Sequence, residues 1–254
     1  MLSDPPQVAT LLPTTPGKEP VRNKVRIRFR KDGDLRLVSH HDLMVCFERM
    51  LRRADLPFHS TQGFHPKPRL VFALSLALGI VGCEEVVELE LSAPLPPEEI
   101  HARLTRQAPP GLTFLSVRRI DPRARGHVAG VTYRLALPPG RGTGLPERMA
   151  QLLSVPECWI ERTRPQARKL DIRPYLRDLR LVPGAVEMDL GVTPQGTARP
   201  GEILALLGLS DLLDQGAILE RTRLEITDET LSPGGLDRSP QKGPDADMRA
   251  SEAR

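Results

Sequence analysis

The chain has 254 residues, 39% of them hydrophobic and 27% charged, with a formal net charge of +4 at pH 7. This length suits one large domain or two small ones, the apolar content can build a core, and the 26 prolines indicate many loops or tails. No run of 18 apolar residues is present, which argues against a spanning helix, and three scattered cysteines without a CxxC pair argue against a structural zinc site, a disulfide framework and a bound iron–sulfur cluster.

Both ends of the sequence are predicted to be disordered tails. Residues 1–21 are rich in proline and threonine, and they lack the charged start and apolar core of a signal peptide. Residues 232–254 are polar and charge-balanced, and they contain proline and glycine. With neither a leader nor a membrane span predicted, we expect the protein in the cytoplasm.

Residues 22–121 predict the element order β-α-β-β-α-β, which is typical of a ferredoxin-like unit. The first strand alternates apolar residues with arginine, as a half-exposed strand does. Proline at the start of the second helix is followed by Glu98 and Glu99, which the helix dipole favours there. The predicted strands are residues 25–30, 70–76, 86–91 and 112–120, and the predicted helices begin after Ser39 and at Pro96 or Pro97.

The first helix is the best-signalled element of the chain. Ser39 precedes the apolar repeat and Asp42 follows three positions later, as in a capping box with aspartate in place of glutamate. Pro57 prevents the helical pattern from continuing. Arginines 49, 52 and 53 share the solvent face. The apolar stripe consists of Leu43, Cys46, Phe47, Met50, Leu51 and Ala54.

The loop that follows carries many hydrogen-bond donors and two rigid prolines. Pro66 and Pro68 hold the backbone extended, and Gly63 permits a positive φ. An extended loop that displays His65 and Lys67 suits an anion such as phosphate. An ordinary proline-rich connection between two elements explains the same residues equally well.

Residues 131–231 repeat the element order more loosely, after a predicted linker at 122–130 that contains Arg123 and Arg125. We therefore predict an α+β fold made of two ferredoxin-like halves in tandem. This duplication is inferred from element order, because no residue-level repeat is visible. The predicted strands are 131–137, 159–162, 169–176 with a turn at Pro174, 176–181, 186–192 and 219–226, and the predicted helices are 145–153 and about 199–207.

Charge is distributed unevenly along the chain. Residues 22–69 contain 12 Lys/Arg and 5 Asp/Glu, a balance of +7, whereas residues 71–121 contain 4 and 7, a balance of −3. Residues 161–180 contain 7 and 3, a balance of +4. Two basic segments separated by an acidic one favour a surface that faces a polyanion such as a nucleic acid. The alternative is that arginine-rich helices and strand edges are simply solvated.

Four of the six histidines lie in the opening block, at positions 40, 41, 59 and 65. They lack the HxxxH or HxH spacing of a metal site, so no metal and no cofactor is predicted. His40 and His65 are the candidates for acid–base catalysis, although hydrogen bonding and phosphate contact explain them more simply. Asp42 is expected to neutralise the helix start.

A second group of candidates lies in the other half. Asp171, Arg173 and Tyr175 alternate, so they share one sheet face if Pro174 does not break the strand. Arg173 and Arg199 can add phosphate contacts, because a guanidinium binds phosphate through two donors. An Asp–Arg pair that joins the two halves is an equally good explanation.

Several motifs resemble those of the radical-SAM-linked protein family. They are S-H-H-D-L at residues 39–43, R-R-A-D-L-P at 52–57, S-T-Q-G-F-H-P at 60–66, the run 79–88, L-D-I-R-P-Y-L at 170–176 and A-R-P at 198–200. Both Thr61 and Gln62 stand between Ser60 and Gly63, where the family spacing has one residue. His41 replaces a common leucine and His65 the usual asparagine. The resemblance covers about residues 24–224 and implies a partner, a radical-SAM protein that often carries a cobalamin-binding domain.

These observations lead to three functional hypotheses. The first is a non-catalytic accessory protein that binds RNA, such as tRNA or rRNA, and presents it to a radical-SAM partner. The others are a docking module for that partner without nucleic-acid binding, and a metal-independent endoribonuclease. The residues predicted to contact the bound molecule are Ser39, His40, Asp42, Arg52, Arg53, Ser60, Gly63, His65, Lys67, Arg69, Arg173 and Arg199.

Overall fold

The structure is a computed structural model that describes residues 23–163 and 167–230, with side chains through Asp228. Both predicted tails lie outside the described residues. The helices are α1 (His40–Arg53), α2 (Pro97–Gln107), α3 (Leu145–Ser154), α4 (Pro200–Leu206), α5 (Asp211–Asp214) and α6 (Thr227–Thr230). The strands are β1 (Asn23–Lys31), β2 (Leu70–Phe72), β3 (Val81–Leu91), β4 (Leu112–Ile120), β5 (Val128–Ala136), β6 (Trp159–Arg162), β7 (Arg168–Asp171), β8 (Leu176–Val182), β9 (Ala185–Gly191) and β10 (Leu219–Ile226).

In the described part of the chain, eight strands form one large and mostly antiparallel sheet. Its order is β4-β1-β3-β10-β5-β9-β8, and β2 pairs with β3 beside this path. The strand pair β3–β10 is parallel and joins the first half of the chain to the second through the pairings of Val81 with Glu220 and Gly82 with Arg221. Strands β6 and β7 form a separate hairpin. The mixed α+β class predicted from the sequence is thus confirmed.

Three strand predictions differ clearly from the structure in their bounds. Strand β2 ends at Phe72, whereas β3 begins at Val81 and is longer than predicted. The stretch predicted to be one strand from 169 to 176 is divided into β7 and a 3-10 turn at Arg173–Tyr175. Strand β7 ends at Asp171, and Pro174, which has no N–H group to donate to a sheet, lies within the 3-10 turn that follows.

The first core lies between strands β1, β3 and β4 and helices α1 and α2. Val25, Ile27 and Phe29 alternate into it from β1, and Phe47 and Leu51 enter from α1. A second core gathers apolar residues of β5, β8, β9 and β10 with those of α3, α4 and α5. No helix among the described residues is long and apolar enough to cross a membrane.

The polar side of β1 is less exposed than its alternating pattern predicts. Arg26 is 1% exposed, and its guanidinium binds Glu88 of β3 (Nη2–Oε1 2.6 Å) and Asp228 of α6 (Nη1–Oδ1 2.7 Å). Lys24 also pairs with Glu88. These charges are buried because the linker and the end of β10 lie over this part of the sheet, where the Lys24 ammonium donates to the Ala124 carbonyl and a Cβ at Gly126 would meet Arg26 and Glu88. Arg26 is therefore unavailable as a surface contact for a polyanion.

Replacing Asp228 by asparagine is expected to destabilise the protein at neutral pH but not in acid. The hydrogen bonds from Arg26 hold the pKa of Asp228 below its ordinary value of 3.8. A carboxylate with a depressed folded-state pKa stabilises the fold above that ordinary value, and this contribution is lost as the pH falls through the folded-state value. Urea unfolding of both proteins between pH 7 and pH 2.5 tests this, because the difference in free energy should shrink below pH 3.8. A difference that does not change with pH contradicts it.

Candidate functional site

Residues 59–69, here called the hairpin loop, fold back on themselves beside the end of β3. The backbone N–H of Thr61 donates to the Lys67 carbonyl, and that of Arg69 donates to the His59 carbonyl, both at 2.8 Å. The N–H of His59 donates in turn to the Glu90 carbonyl at 2.8 Å. The hairpin loop therefore projects from β3 on a hydrogen-bonded stem rather than lying as a simple extended connection.

The second half of α1 supports the hairpin loop. Arg52 Nη2 donates to the Pro66 carbonyl at 2.9 Å, and the Arg52 guanidinium lies over the Phe58 ring, 5.4 Å from its centroid. The Lys67 ammonium lies 3.6 Å from a Glu48 carboxylate oxygen. These contacts bring together the predicted residues Arg52, Lys67 and their neighbours at one end of the helix.

Phe64 occupies the tip of the hairpin loop and is fully exposed. Gly63 before it has φ +136°, a conformation that favours glycine, and Pro66 restricts the chain after it. Of the protein's nine Phe, Tyr and Trp residues, only Phe64 and Trp159 are exposed. An apolar ring held out in water has no packing role, so this position is a candidate contact for a partner.

The second half of α1 adds positive charge beside the hairpin loop. Arg49, Arg52 and Arg53 are exposed on this helix, and Arg52 contacts the hairpin loop at the Pro66 carbonyl. Arg53 makes long contacts with Gln107, of 3.4 and 3.5 Å. Arg69, which is partly buried, pairs with Glu90 at 3.2 Å. We call this set of arginines together with the hairpin loop the hairpin surface.

The other predicted residues of α1 lie at its opposite end. The Asp42 N–H donates to Ser39 Oγ at 3.1 Å, so Ser39 caps the helix as predicted. His40 is half-buried against the Phe72 ring, with centroids 5.1 Å apart. A helix rises about 1.5 Å per residue, which separates His40 from Arg52 by about 18 Å along the axis. The structure thus divides the predicted site between the two ends of α1.

His40 adjoins a buried ion pair that the sequence did not indicate. Arg221 of β10 donates two hydrogen bonds to the Glu85 carboxylate of β3 from one edge of its guanidinium (Nε–Oε1 2.8 Å, and Nη2 to Oε2), and both side chains are at most 5% exposed. Lys31, also buried, donates to the Val38 carbonyl at 2.8 Å. Burial and then the positive charges of Lys31 and Arg221 lower the pKa of His40. In the sequence Glu85 is one of four glutamates within residues 84–90, and nothing there marks it as the partner of a remote arginine.

The two candidates of the second half have different surroundings. The Arg173 guanidinium donates to the carbonyls of Leu153 (2.6 Å), Leu176 (3.0 Å) and Val155 (3.1 Å), so its donors already serve the backbone. Arg173 therefore ties the end of α3 to the start of β8 and is poorly placed to bind phosphate. Arg199, in contrast, is exposed at the rim of a cavity between the two halves.

The structure shows no prepared metal site among residues 23–163 and 167–230, where no group of three or more His, Cys, Asp or Glu side chains converges. Burial raises the pKa of the thiols of Cys46, Cys83 and Cys158, which lowers their thiolate fraction and their reactivity at neutral pH.

The sequence profile of a bacterial family matches residues 24–200 of this chain. Its description reads "Uncharacterized protein conserved in bacteria (DUF2344)". The chain belongs to this family. The matched region contains α1, the hairpin loop and the strands that carry Arg26 and Glu85, so the hairpin surface is part of the DUF2344 region.

No curated protein matches the chain. Among solved structures, it is similar to one described as "Crystal Structure of an Unknown Protein from Galdieria sulphuraria", with 13% sequence identity and a TM-score of 0.26. The match covers 81% of this chain and 98% of the other. A similarity this low carries no argument about fold or function.

Proposed function

We propose that the protein is a non-catalytic accessory protein that binds RNA through the hairpin surface and presents it to a radical-SAM partner. The observation that carries the RNA proposal is the fully exposed ring of Phe64 at the tip of a loop whose Pro66 carbonyl accepts a hydrogen bond from Arg52 of α1. An aromatic ring beside cations is the usual platform for unstacked bases, whose phosphates the guanidiniums then hold. The radical-SAM partner is proposed from the motif resemblance alone.

The fold supports this proposal through its strand order. We propose that residues 23–120 and 128–226 are two ferredoxin-like units, because each can be read as β-α-β-β-α-β if the β6–β7 hairpin is treated as an insertion. Their strand orders, β4-β1-β3-β2 and β10-β5-β9-β8, follow the same permutation. Such a unit leaves loops and one sheet face for a ligand, which suits single-stranded RNA better than duplex DNA.

A second exposed aromatic extends the argument. Trp159 is 60% exposed on the β6–β7 hairpin, where Arg168 and Lys169 are also exposed. Trp159 lies just before the basic segment 161–180, and its indole N–H donates to the Glu157 carboxylate at 2.8 Å. With 4% aromatic residues the chain offers few stacking platforms, and Phe64 and Trp159 are the two exposed rings on which bases can stack, with Trp159 the weaker candidate because of its acidic neighbour.

The endoribonuclease alternative has less support. His40 is half-buried at one end of α1, whereas His65 is exposed on the hairpin loop beside the other end. Two histidines that share an acid–base reaction must both reach the same phosphate. Because His40 and His65 lie near opposite ends of α1, they are too far apart to act on the same phosphate. We therefore assign neither of them a catalytic role.

Replacing Phe64 by alanine is expected to weaken RNA binding by about 5- to 150-fold, because stacking contributes about 1–3 kcal/mol per base. Fluorescence anisotropy with a labelled single-stranded RNA, at two salt concentrations, measures this. Phe64→Trp should restore binding. Leu181→Ala, an exposed apolar residue on β8 at the far edge of the sheet, is the matched control and should bind normally.

Two outcomes contradict the RNA proposal: no binding at low salt, or binding that is independent of both Phe64 and salt. If RNA does not bind but Phe64→Ala abolishes co-purification with the neighbouring radical-SAM protein, the docking alternative replaces it. Clean separation of the unmodified protein from that partner contradicts the proposed partnership.

A further inference from the structure

A cavity of about 570 Å³ opens between the segment 74–80, β10 and the start of α4. Its walls are mostly apolar, with Leu74, Leu78, Ile80, Leu213 and Leu219 among the lining residues. This volume lies in the range of pockets that hold small molecules. The cavity is separate from the hairpin surface, since none of its lining residues belongs to α1 or to the hairpin loop.

The polar groups inside the cavity are already engaged by the protein. Arg221 binds Glu85 and donates to the carbonyls of Ser75 (3.1 Å) and Leu74 (3.2 Å). Burial alone would lower the pKa of Arg221, but hydrogen bonds with Glu85 and Tyr133 outweigh this effect and raise it. Thr197 Oγ1 donates to the Gly191 carbonyl at 2.7 Å. A ligand therefore meets few free polar groups in the interior, and the part of it that enters must be apolar.

The rim of the cavity carries Arg199, a cation that differs from the buried Arg221 in being exposed. Arg199 is exposed, and among the described residues no carboxylate forms an ion pair with its guanidinium. The nearby Glu202 accepts a hydrogen bond from the backbone N–H of Arg199 (2.8 Å), but its carboxylate is held by two hydrogen bonds from one guanidinium edge of Arg162, at 2.7 and 2.8 Å. The Arg199 charge is thus available to a ligand that lies in the cavity.

We propose that the cavity binds a small amphipathic anion, with its apolar chain between the leucine walls and its acidic head on Arg199. An apolar chain gains free energy from burial without leaving protein donors unsatisfied. A guanidinium binds a carboxylate or a phosphate group through two parallel hydrogen bonds. The structure assigns this anion site independently of RNA binding.

Calorimetry with decanoate, decyl phosphate and the neutral analogue decanol tests the assignment on the full chain. We expect one decanoate per chain, and Arg199→Gln should weaken its binding by about tenfold or more while leaving decanol unchanged. Arg148→Gln, an exposed arginine of α3 away from the cavity, is the charge-matched control and should have no effect. Comparing the affinities of decanoate and decyl phosphate shows whether the site prefers a carboxylate or a phosphate head group.

Filling the cavity provides the second arm of the test. Ala77→Trp, at an exposed wall position, and Ala217→Phe, at a half-buried one, should each abolish binding of both decanoate and decanol. Thermal unfolding shows whether each variant is folded. If one of the two variants has lost its fold, the binding result of the folded variant is used. The proposal is overturned if decanoate does not bind, if a folded filled variant binds it normally, or if Arg199→Gln and Arg148→Gln weaken it equally.

Discussion

Replacing Glu85 by leucine is expected to lower the free energy of unfolding by about 3–5 kcal/mol, because it removes one partner of a buried ion pair. Arg221 would keep its charge at a position that is 1% exposed, with only backbone carbonyls and Tyr133 left to bind it. The fully buried Lys31 lies nearby, and its ammonium would also lose the favourable interaction with the Glu85 carboxylate. Urea unfolding monitored by circular dichroism measures the loss.

The matched control is the double variant Glu85→Leu with Arg221→Met. Well-packed apolar residues often replace a buried pair with little net cost, so the double variant should recover most of the stability that the single variant loses. Because Glu85 and Arg221 join β3 to β10, the single variant should also loosen the contact between the two halves. A loss below 1 kcal/mol in the single variant would show that Arg221 reaches solvent there.

The local elements of this fold were predictable because their signals lie close together in sequence. The cap at Ser39, the apolar stripe containing Phe47 and the stop at Pro57 lie within 20 residues, and α1 begins after Ser39 as predicted and ends at Arg53, before Pro57. The strands that close each half, β4 and β10, match their predicted ranges for the same reason. The spacing of apolar residues and the capping residues involve near neighbours in the sequence, so they can be recognised without knowledge of the fold.

The buried charges were not predictable, because their partners are remote. Glu85 and Arg221 are 136 positions apart, and Arg26 and Asp228 are 202 apart. The alternation of apolar residues with arginine in β1 predicts an exposed polar face, and it says nothing about the linker and the end of β10 that come to lie over Arg26. Contacts between residues that are remote in the sequence therefore determine which cations are exposed and which are buried in ion pairs.

Several residues of the candidate site could be selected from the sequence, but their positions relative to one another could not. Sequence reasoning selected Arg52 and Lys67, which the structure brings together, and it grouped them with His40, which lies at the other end of α1. The direction in which a loop returns along a helix depends on the strand that receives it, here β3 through Glu90. Phe64 was passed over because composition gives no sign that a phenylalanine is exposed.

Replacing Phe47 by alanine is expected to destabilise the protein by about 3–5 kcal/mol, the range for truncating a buried aromatic ring. Phe47 is 1% exposed, and its ring centroid lies 5.1 Å from that of Phe29, 5.2 Å from that of Phe72 and 6.0 Å from that of Phe114. The loss combines buried apolar area, edge contacts between rings and a cavity that the sheet and helix cannot both close. Thermal and urea unfolding measure it.

The same substitution at Phe64 separates stability from binding. Phe64→Ala removes an identical side chain that packs against nothing, so the free energy of unfolding should change by less than about 0.5 kcal/mol. Phe47→Ala should in turn leave RNA affinity intact under conditions where the protein remains folded, because Phe47 faces the core and not the hairpin surface. If Phe64→Ala destabilises the protein as much as Phe47→Ala does, the ring is a packing residue, and the hairpin surface loses the observation that supports it.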